Sequence, residues 1–222
     1  MRKFVPAYEG NLRKHALSVP RCISECSGIR VFGRRIKSLV FSTDVAIIKN
    51  INADAIIAVY PFTPQPAITQ AIIGVSEVPV FCGVGGGLTN GVRSASMAAY
   101  VEHQGAYGVV YNSKIGVETI HAIKDAVEIP VVYTVISENT DIQPYLTAGV
   151  DIINVSGAAR TPEIVGALRQ RYPELPIIAT GGPTEESILA TIRAGANAIT
   201  YTPPSSASLS AKTMADNRSE LE

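Results

Sequence analysis

Short apolar runs rich in β-branched residues alternate with segments of helical spacing along most of the chain. One recurring pattern is an acid, any residue and a proline before such a run, at 77–81, 128–132 and 174–178. A second pattern places small residues before the run, at 52–57, 105–110, 149–153 and 195–199. Each pattern returns about every 50 residues, the scale on which repeated structural units show themselves in a sequence.

The runs barely alternate between apolar and polar positions, which is typical of strands buried on both faces of a parallel sheet. They predict eight strands, near 37–42, 55–60, 79–84, 108–112, 130–136, 151–156, 176–181 and 197–202. The segments between them carry apolar residues three or four positions apart, as at Val117, Ile120, Ile123 and Val127. This spacing predicts a helix after each strand, the last one short.

Eight strand–helix units in a chain of 222 residues predict an α/β fold, a parallel eight-stranded (β/α)8 TIM barrel. The alternative is an open doubly wound sheet. The regular units, and the lack of an acidic residue placed after a glycine-rich first turn, favour the barrel. We divide the chain into a basic N-terminal extension at 1–33 with a helix near Glu9 to Leu17, the barrel at 34–217 and a C-terminal tail at 218–222.

Apolar residues make up 46% of the chain and charged residues 17%, which is ordinary globular usage. No apolar run reaches the roughly 18 residues of a membrane span, and the start of the chain lacks the apolar segment of a secretory signal. Three cysteines are too few for a disulfide framework and fit reduced thiols. We therefore expect a cytoplasmic protein without a membrane partner, and the apolar composition favours a homo-oligomer.

The charge is unevenly distributed along the chain. Residues 1–37 carry nine basic and two acidic side chains, a net charge of +7, so the rest of the chain carries −7. Such asymmetry is found in proteins that bind nucleic acid, which makes RNA one candidate partner. The alternative is that the basic segment packs on the acidic body of the same or a neighbouring subunit.

In barrels of this kind the active site lies at the C-terminal ends of the strands. The seventh predicted strand ends in Thr180, Gly181 and Gly182 and leads into a helix, where backbone N–H groups are available to an anion. The eighth is followed by Ser205 and Ser206, whose hydroxyls add donors. We predict that these five residues bind phosphate or another anion. The alternative for the two glycines is a tight turn between strand and helix.

Residues 176–201, PIIATGGPTEESILATIRAGANAITY, resemble the end of the phosphate-binding, aldolase-type barrels. That superfamily includes the indole-glycerol-phosphate synthase, thiazole synthase and hexosamine-phosphate epimerase groups, and flavin-binding barrels such as the nitronate monooxygenases. The segment is also similar to the glycerol uptake operon antiterminator, a regulatory barrel. The resemblance implies a phosphate held by Gly181, Gly182, Ser205 and Ser206. The chain departs from the family pattern at 183, where proline replaces isoleucine, and at 203–204, where two prolines remove N–H donors.

Two charged residues are candidates for catalysis. Asp44 follows the first predicted strand and Lys114 follows the fourth, which places both at the barrel mouth. A lysine there can form a Schiff base or neutralise an anion, and an aspartate can act as general acid or base. We predict Asp44 and Lys114 as the catalytic residues. The alternatives are a helix cap for Asp44 and a solvated loop lysine for Lys114.

A glycine-rich loop at 82–91 follows the third predicted strand. It is not a dinucleotide-binding fingerprint, because the third glycine is out of place. So many glycines cost conformational entropy, which chains tolerate where the backbone contacts a ligand or a loop must move. We predict Gly85 and Gly86 as substrate contacts, together with Asn112, Asn154 and Ser156 at the ends of the fourth and sixth strands.

We predict no metal site, because no histidine stands at a strand end and Cys22 and Cys26 form an isolated pair. The favoured function is an enzyme of the lyase or isomerase type that acts on a small phosphorylated or otherwise anionic metabolite. One alternative is a non-catalytic, ligand-sensing barrel similar to the antiterminator. The other is an FMN-binding barrel that holds the FMN phosphate at the same two turns; the favoured function needs no cofactor.

Overall fold

The computed structural model describes residues 4, 6–7, 17–86, 89–112 and 116–219. Eight parallel strands form a closed barrel in which each strand pairs with the next along the chain and the last pairs with the first. They are β1 (Ser38–Phe41), β2 (Ala55–Ala58), β3 (Val80–Gly85), β4 (Gly108–Asn112), β5 (Val131–Val135), β6 (Ile152–Val155), β7 (Ile177–Thr180) and β8 (Ala198–Tyr201). Each predicted strand overlaps one observed strand, which confirms the (β/α)8 barrel.

A helix follows every strand: α1 (Val45–Asn50), α2 (Pro66–Val75), α3 (Gly91–His103), α4 (Val117–Lys124), α5 (Gln143–Thr147), α6 (Thr161–Arg171), α7 (Glu185–Arg193) and α8 (Ser206–Ser219). The prediction of a short last helix is wrong. No glycine or proline interrupts α8, so it continues for 14 residues into the segment predicted as a tail. Apart from Leu17, the helix predicted near Glu9 lies outside the described residues.

A short hairpin closes the N-terminal end of the barrel. Its antiparallel strands, Ile29–Val31 and Arg34–Ile36, bring Val31 and Ile36 into the apolar cluster that fills the barrel interior. The turn of this hairpin lies at the boundary placed at residue 33. Because both strands pack on the same interior cluster, the hairpin and the barrel share one core.

The segment before the hairpin covers part of the outer wall. Its 3-10 helix, Arg21–Glu25, packs on α7 and buries Cys22 and Ile23 in the outer core. Leu17 pairs with Ile51, just after α1. The segment therefore occupies the space between α7 and α1. Helix α8 therefore lies on the outer surface of the protein, and none of its residues is buried.

The small-residue turns of the sequence repeat carry side chains that join neighbouring strands. Asp54, Asp151 and Asn197 each accept a hydrogen bond from the first N–H of β1, β5 or β7, at 3.0, 2.8 and 2.9 Å. These bonds fix the register at the N-terminal end of the barrel. In the remaining copy of the repeat, at 105–110 before β4, Tyr107 occupies the position that holds the hydrogen-bond acceptor in the other three.

Candidate functional site

Four polar side chains follow the apolar interior at the C-terminal end of the barrel. The last interior core positions on four neighbouring strands are Val132, Ile152, Ile178 and Ala198. Because strand residues two positions apart face the same side, the next inward residues are Thr134, Asn154, Thr180 and Thr200. We name these four residues the polar floor of the barrel mouth.

The polar floor has hydrogen-bonding capacity that the protein does not use. Asn154 Nδ2 donates to Thr134 Oγ1 at 3.2 Å, while Asn154 Oδ1 and Thr200 Oγ1 have no partner within the described residues. The two residues are only 8% and 5% exposed. A buried polar atom without a partner costs about 1–3 kcal/mol. These two atoms therefore have hydrogen-bonding capacity that is free for a ligand group, as do the hydroxyls of Tyr111 and Tyr172 elsewhere among the described residues.

A cavity of about 550 Å³ opens at the same end of the barrel, among residues that follow or end β2, β3 and β4. Its wall consists of the loop 60–64, the glycines at the end of β3 and Asn112 of β4. Asn112 pairs in register with Thr134, and Thr134 with Asn154, so Asn112 connects the cavity wall to the floor along three neighbouring strands, although none of the four floor residues lines the cavity itself. In the part of the chain that the structure describes, the residues lining it are all uncharged.

Gly85 and Gly86 border this cavity, where they were predicted as substrate contacts, but packing at Gly85 and backbone conformation at Gly86 already favour glycine. A Cβ atom on Gly85 would collide with the Ser94 hydroxyl and the Tyr111 ring. Gly86 has a φ of +136° and exchanges backbone hydrogen bonds with Thr89 at 2.9 and 3.2 Å. Contact of the two glycines with substrate stays a prediction.

In the turn after β7, an N–H group predicted to bind an anion is already hydrogen-bonded within the protein. The Gly181 N–H donates to the Thr200 carbonyl at 3.2 Å, and a Cβ atom on Gly181 would collide with side chains of α7 and β8. Gly182 has a φ of +82°, in the left-handed region. A capping box then closes the N-terminus of α7. A tight turn accounts for both glycines, and anion binding by them stays a prediction.

Asp44 and Ser206 link the N-termini of α1 and α8. Asp44 Oδ1 accepts from the N–H groups of Ala46 and Ile47 at 2.9 and 3.3 Å, which caps α1. Asp44 Oδ2 accepts from the Ser206 N–H at 3.2 Å and from the Ser206 hydroxyl at 2.5 Å. Hydrogen bonding from the Ser206 hydroxyl lowers the pKa of Asp44. Asp44, predicted as a catalytic residue, is thus the N-cap of α1. It is also hydrogen-bonded to Ser206, which was predicted to bind phosphate.

Three other residues predicted for the site, Ser205, Ser156 and Lys114, are not part of the polar floor. The Ser205 hydroxyl accepts from the Ser208 N–H at 3.1 Å, within the first turn of α8. Ser156 is exposed just beyond β6, and its N–H donates to the Val135 carbonyl at 2.8 Å. Lys114 lies outside the described residues, so its catalytic role stays a prediction.

We expect Asp44→Ala to lower the free energy of unfolding by about 1–2 kcal/mol, because it uncaps α1 and frees the start of α8. A carboxyl with a lowered folded-state pKa stabilises the fold above its unfolded value of about 3.9, and that contribution is lost as the pH falls through the folded-state pKa. Urea midpoints of the wild type and Asp44→Asn should differ at neutral pH and converge in acid. Identical midpoints at neutral pH would contradict the link.

Thr134 and Thr200 belong to the polar floor, but the sequence analysis did not predict them as contacts. Both stand in correctly predicted strands, and the alternation that turns Asn154 and Thr180 inward also turns these hydroxyls inward. A hydroxyl on the inner face of an otherwise apolar strand end was the available signal.

Charged groups at the rim are paired. Glu138, after β5, forms an ion pair with Arg160, after β6, and Arg160 also lies 3.5 Å from Glu163. Over the described ranges, no group of three or more His, Cys, Asp or Glu side chains is arranged to hold a metal ion. No helix in those ranges combines the length and apolar character needed to cross a membrane.

No protein-family model matches the chain, and no curated protein matches it. A provisionally assigned phosphonomutase from Burkholderia cenocepacia J2315 superposes with a TM-score of 0.64 at 18% identity, covering 83% of this chain and 92% of that chain. Phosphonopyruvate hydrolase in complex with oxalate and Mg²⁺ gives 0.61 at 16%, covering 83% and 80%. Mandelate oxidase with 3,3-difluoro-2-hydroxy-3-phenylpropionic acid gives 0.59 at 14%, covering 80% and 68%. At these identities the likeness shows the barrel fold alone.

Proposed function

We propose that the protein is a (β/α)8-barrel enzyme of the lyase or isomerase type that binds a small anionic metabolite on the polar floor. The observation that carries the proposal is the pair of buried, unpartnered atoms, Asn154 Oδ1 and Thr200 Oγ1, at the end of the barrel that also holds the cavity of about 550 Å³. An amide oxygen accepts from a ligand hydroxyl, and a threonine hydroxyl donates to a carboxylate or carbonyl oxygen. A small acid with a hydroxyl group satisfies both, because the hydroxyl donates to Asn154 Oδ1 and the carboxylate accepts from Thr200 Oγ1.

A carboxylate suits this mouth better than a phosphate. The donors predicted to hold a phosphate already bond within the protein, Gly181 to Thr200 and Ser206 to Asp44. A phosphate beside the Asp44 carboxylate would also meet a like charge. Among proteins with this fold, phosphonopyruvate hydrolase is seen with oxalate, and mandelate oxidase with a 2-hydroxy acid. Both support a small carboxylate.

We assign proton transfer or Schiff-base formation to Lys114, which follows β4 by two residues in the chain. Asp44 is the second proposed group. Its lowered pKa keeps it ionised, which suits a fixed negative charge at the rim better than a base that must take up a proton.

A ligand panel tests the proposal. Glycolate, lactate, pyruvate, oxalate and inorganic phosphate are each titrated against thermal unfolding; we expect a carboxylate, and not phosphate, to raise the Tm with concentration. Deuterium incorporation from solvent next to the carboxylate, followed by proton NMR, reports turnover. Lys114→Ala should abolish incorporation, and Lys212→Ala on α8 should not. No stabilisation by any carboxylate would contradict the anion site.

A non-catalytic, ligand-sensing barrel is the second candidate, and one observation favours it. Two carboxylates at the mouth are both engaged, Asp44 by Ser206 and the start of α1, and Glu138 by Arg160. Such a mouth can bind a ligand but offers few groups to move a proton. In the same panel, stabilisation without deuterium incorporation selects this candidate.

An FMN-binding barrel has less support. The FMN phosphate was expected at the turns after β7 and β8, where Gly181 and Ser206 donate within the protein and Pro203 and Pro204 have no N–H. The visible absorption spectrum of the purified protein, before and after addition of FMN, tests this alternative.

A further inference from the structure

The hairpin at the N-terminal end of the barrel carries three exposed arginines, Arg30 and Arg35 on its outer face and Arg34 at its edge beside Tyr107. Arg30, Arg34 and Arg35 are exposed on its two strands, while Val31 and Ile36 anchor it in the barrel interior. Within the described part of the chain, none of the three guanidinium groups forms an ion pair with a carboxylate. Among the described residues, the hairpin is therefore anchored in the core and no carboxylate neutralises its charge, although Arg35 Nε donates to the Ser27 carbonyl at 2.6 Å.

Two features of the hairpin work against its own stability. Arg30 lies directly opposite Arg35 in the antiparallel register, and like charges in that position destabilise a sheet. Phe32, in the turn, has a φ of +46°, a left-handed conformation that suits asparagine or glycine rather than an aromatic residue. Departures from local preference that the fold does not need point to a functional surface.

Phe32 and Tyr107 form an aromatic ledge beside the arginines. Phe32 is 63% exposed, and its ring centroid lies 5.6 Å from that of Tyr107 with an interplanar angle of 76°. The central guanidinium carbon of Arg34 lies 6.0 Å from the centroid of the Tyr107 ring. Tyr107 occupies the turn position at which three other copies of the repeat carry a hydrogen-bond acceptor. The one copy of the repeat that carries tyrosine instead of an acceptor is therefore the copy that contacts the hairpin.

We propose that this basic hairpin, with its aromatic ledge, binds single-stranded nucleic acid. A guanidinium group donates two parallel hydrogen bonds to the oxygens of one phosphate. Exposed aromatic rings stack on unpaired bases with little sequence preference. A duplex hides the faces of its bases, so the ledge favours single strands. The net charge of +4 on the described residues 17–37 adds attraction at longer range. The surface lies at the opposite end of the barrel from the polar floor, so this proposal does not depend on the ligand bound there.

Fluorescence anisotropy with labelled uridine and thymidine oligonucleotides of about 12 nucleotides, a length that one such surface covers, tests the proposal on the full chain. Phe32→Asn keeps a residue that tolerates the turn and removes the stacking ring, so affinity should fall about 5- to 100-fold. The double variant Arg30→Ser/Arg34→Ser should reduce the slope of log affinity against log salt by about 1.4. Tighter binding of the uridine strand identifies RNA as the ligand, and equal binding identifies single strands in general.

Arg193→Ser is the matched control, because Arg193 is exposed in the last turn of α7, at the same end of the barrel but outside the hairpin. It should leave the affinity within about twofold, since an exposed charge away from the site adds little. An equal loss in Arg193→Ser and Phe32→Asn would overturn the proposal in favour of general charge attraction. Binding to phosphatidylserine vesicles with no binding to either oligonucleotide would overturn it in favour of a membrane surface.

Discussion

Replacing Arg169 with alanine is expected to lower the free energy of unfolding by about 2–4 kcal/mol. Its guanidinium group joins α6 to two loops at the N-terminal end of the barrel, donating to the carbonyls of Pro173, Leu175 and Gly195 at 2.6, 2.8 and 2.8 Å. It also donates to Asn197 Oδ1 at 2.8 Å, the same atom that accepts the first N–H of β7. Without Arg169 these carbonyls lose a charged donor, and Asn197 loses a contact that holds it in position.

Urea unfolding of three variants measures this effect. Arg169→Lys keeps the charge but replaces a planar five-donor fork with a compact ammonium, so it should recover only a minor part of the loss. Arg171→Ala is the matched control two residues away; that side chain is exposed and lies 3.7 Å from Asp141, and its loss should be less than about 1 kcal/mol. Equal losses for Arg169→Ala and Arg171→Ala would contradict the role of Arg169.

Asn154→Leu is expected to weaken binding of the carboxylate that stabilises the wild type by about 10- to 100-fold, because a ligand hydroxyl in the polar floor is left without its acceptor. The fold itself should not be weakened to the same degree, since the substitution also removes a buried atom that has no partner. Titration calorimetry of wild type and variant measures the change in affinity.

Asn52→Ala is the control for Asn154→Leu. Asn52 Oδ1 accepts from the Val19 N–H at 2.8 Å, at the opposite end of the barrel. Its loss affects packing of the N-terminal segment and should leave ligand affinity unchanged. Unchanged affinity in Asn154→Leu, or an equal decrease in Asn52→Ala, would show that the ligand does not contact the polar floor.

The barrel was predictable because its strands are buried on both faces, which leaves continuous β-branched runs such as Val131 and Val132 in β5. The repeat also has a physical reason, since Asp151 and Asn197 hold the first residue of the neighbouring strand. The local sequence pattern was sufficient to predict the barrel, because each strand–helix unit repeats the same contacts.

The candidate site depended on contacts between distant parts of the chain. Asp44 and Ser206 are 162 residues apart, so their hydrogen bonds cannot be inferred from either local sequence. The same holds for Gly181, which packing against α7 and β8 restricts to glycine. The length of α8 was a different case, because the absence of glycine and proline from 206–219 was a local signal for a longer helix than the one predicted.

The unfolding free energies of Thr200→Val and Thr191→Val, measured without ligand, test the central claim most directly. The two threonines are 5% and 1% exposed, but Thr191 Oγ1 donates to the Ser187 carbonyl at 2.9 Å, whereas Thr200 Oγ1 has no partner within the described residues. We predict that Thr191→Val loses about 0.5–1.5 kcal/mol and that Thr200→Val loses nothing or gains up to about 1 kcal/mol. An equal loss in both would mean that the Thr200 hydroxyl serves the fold, and would contradict a polar floor reserved for a ligand.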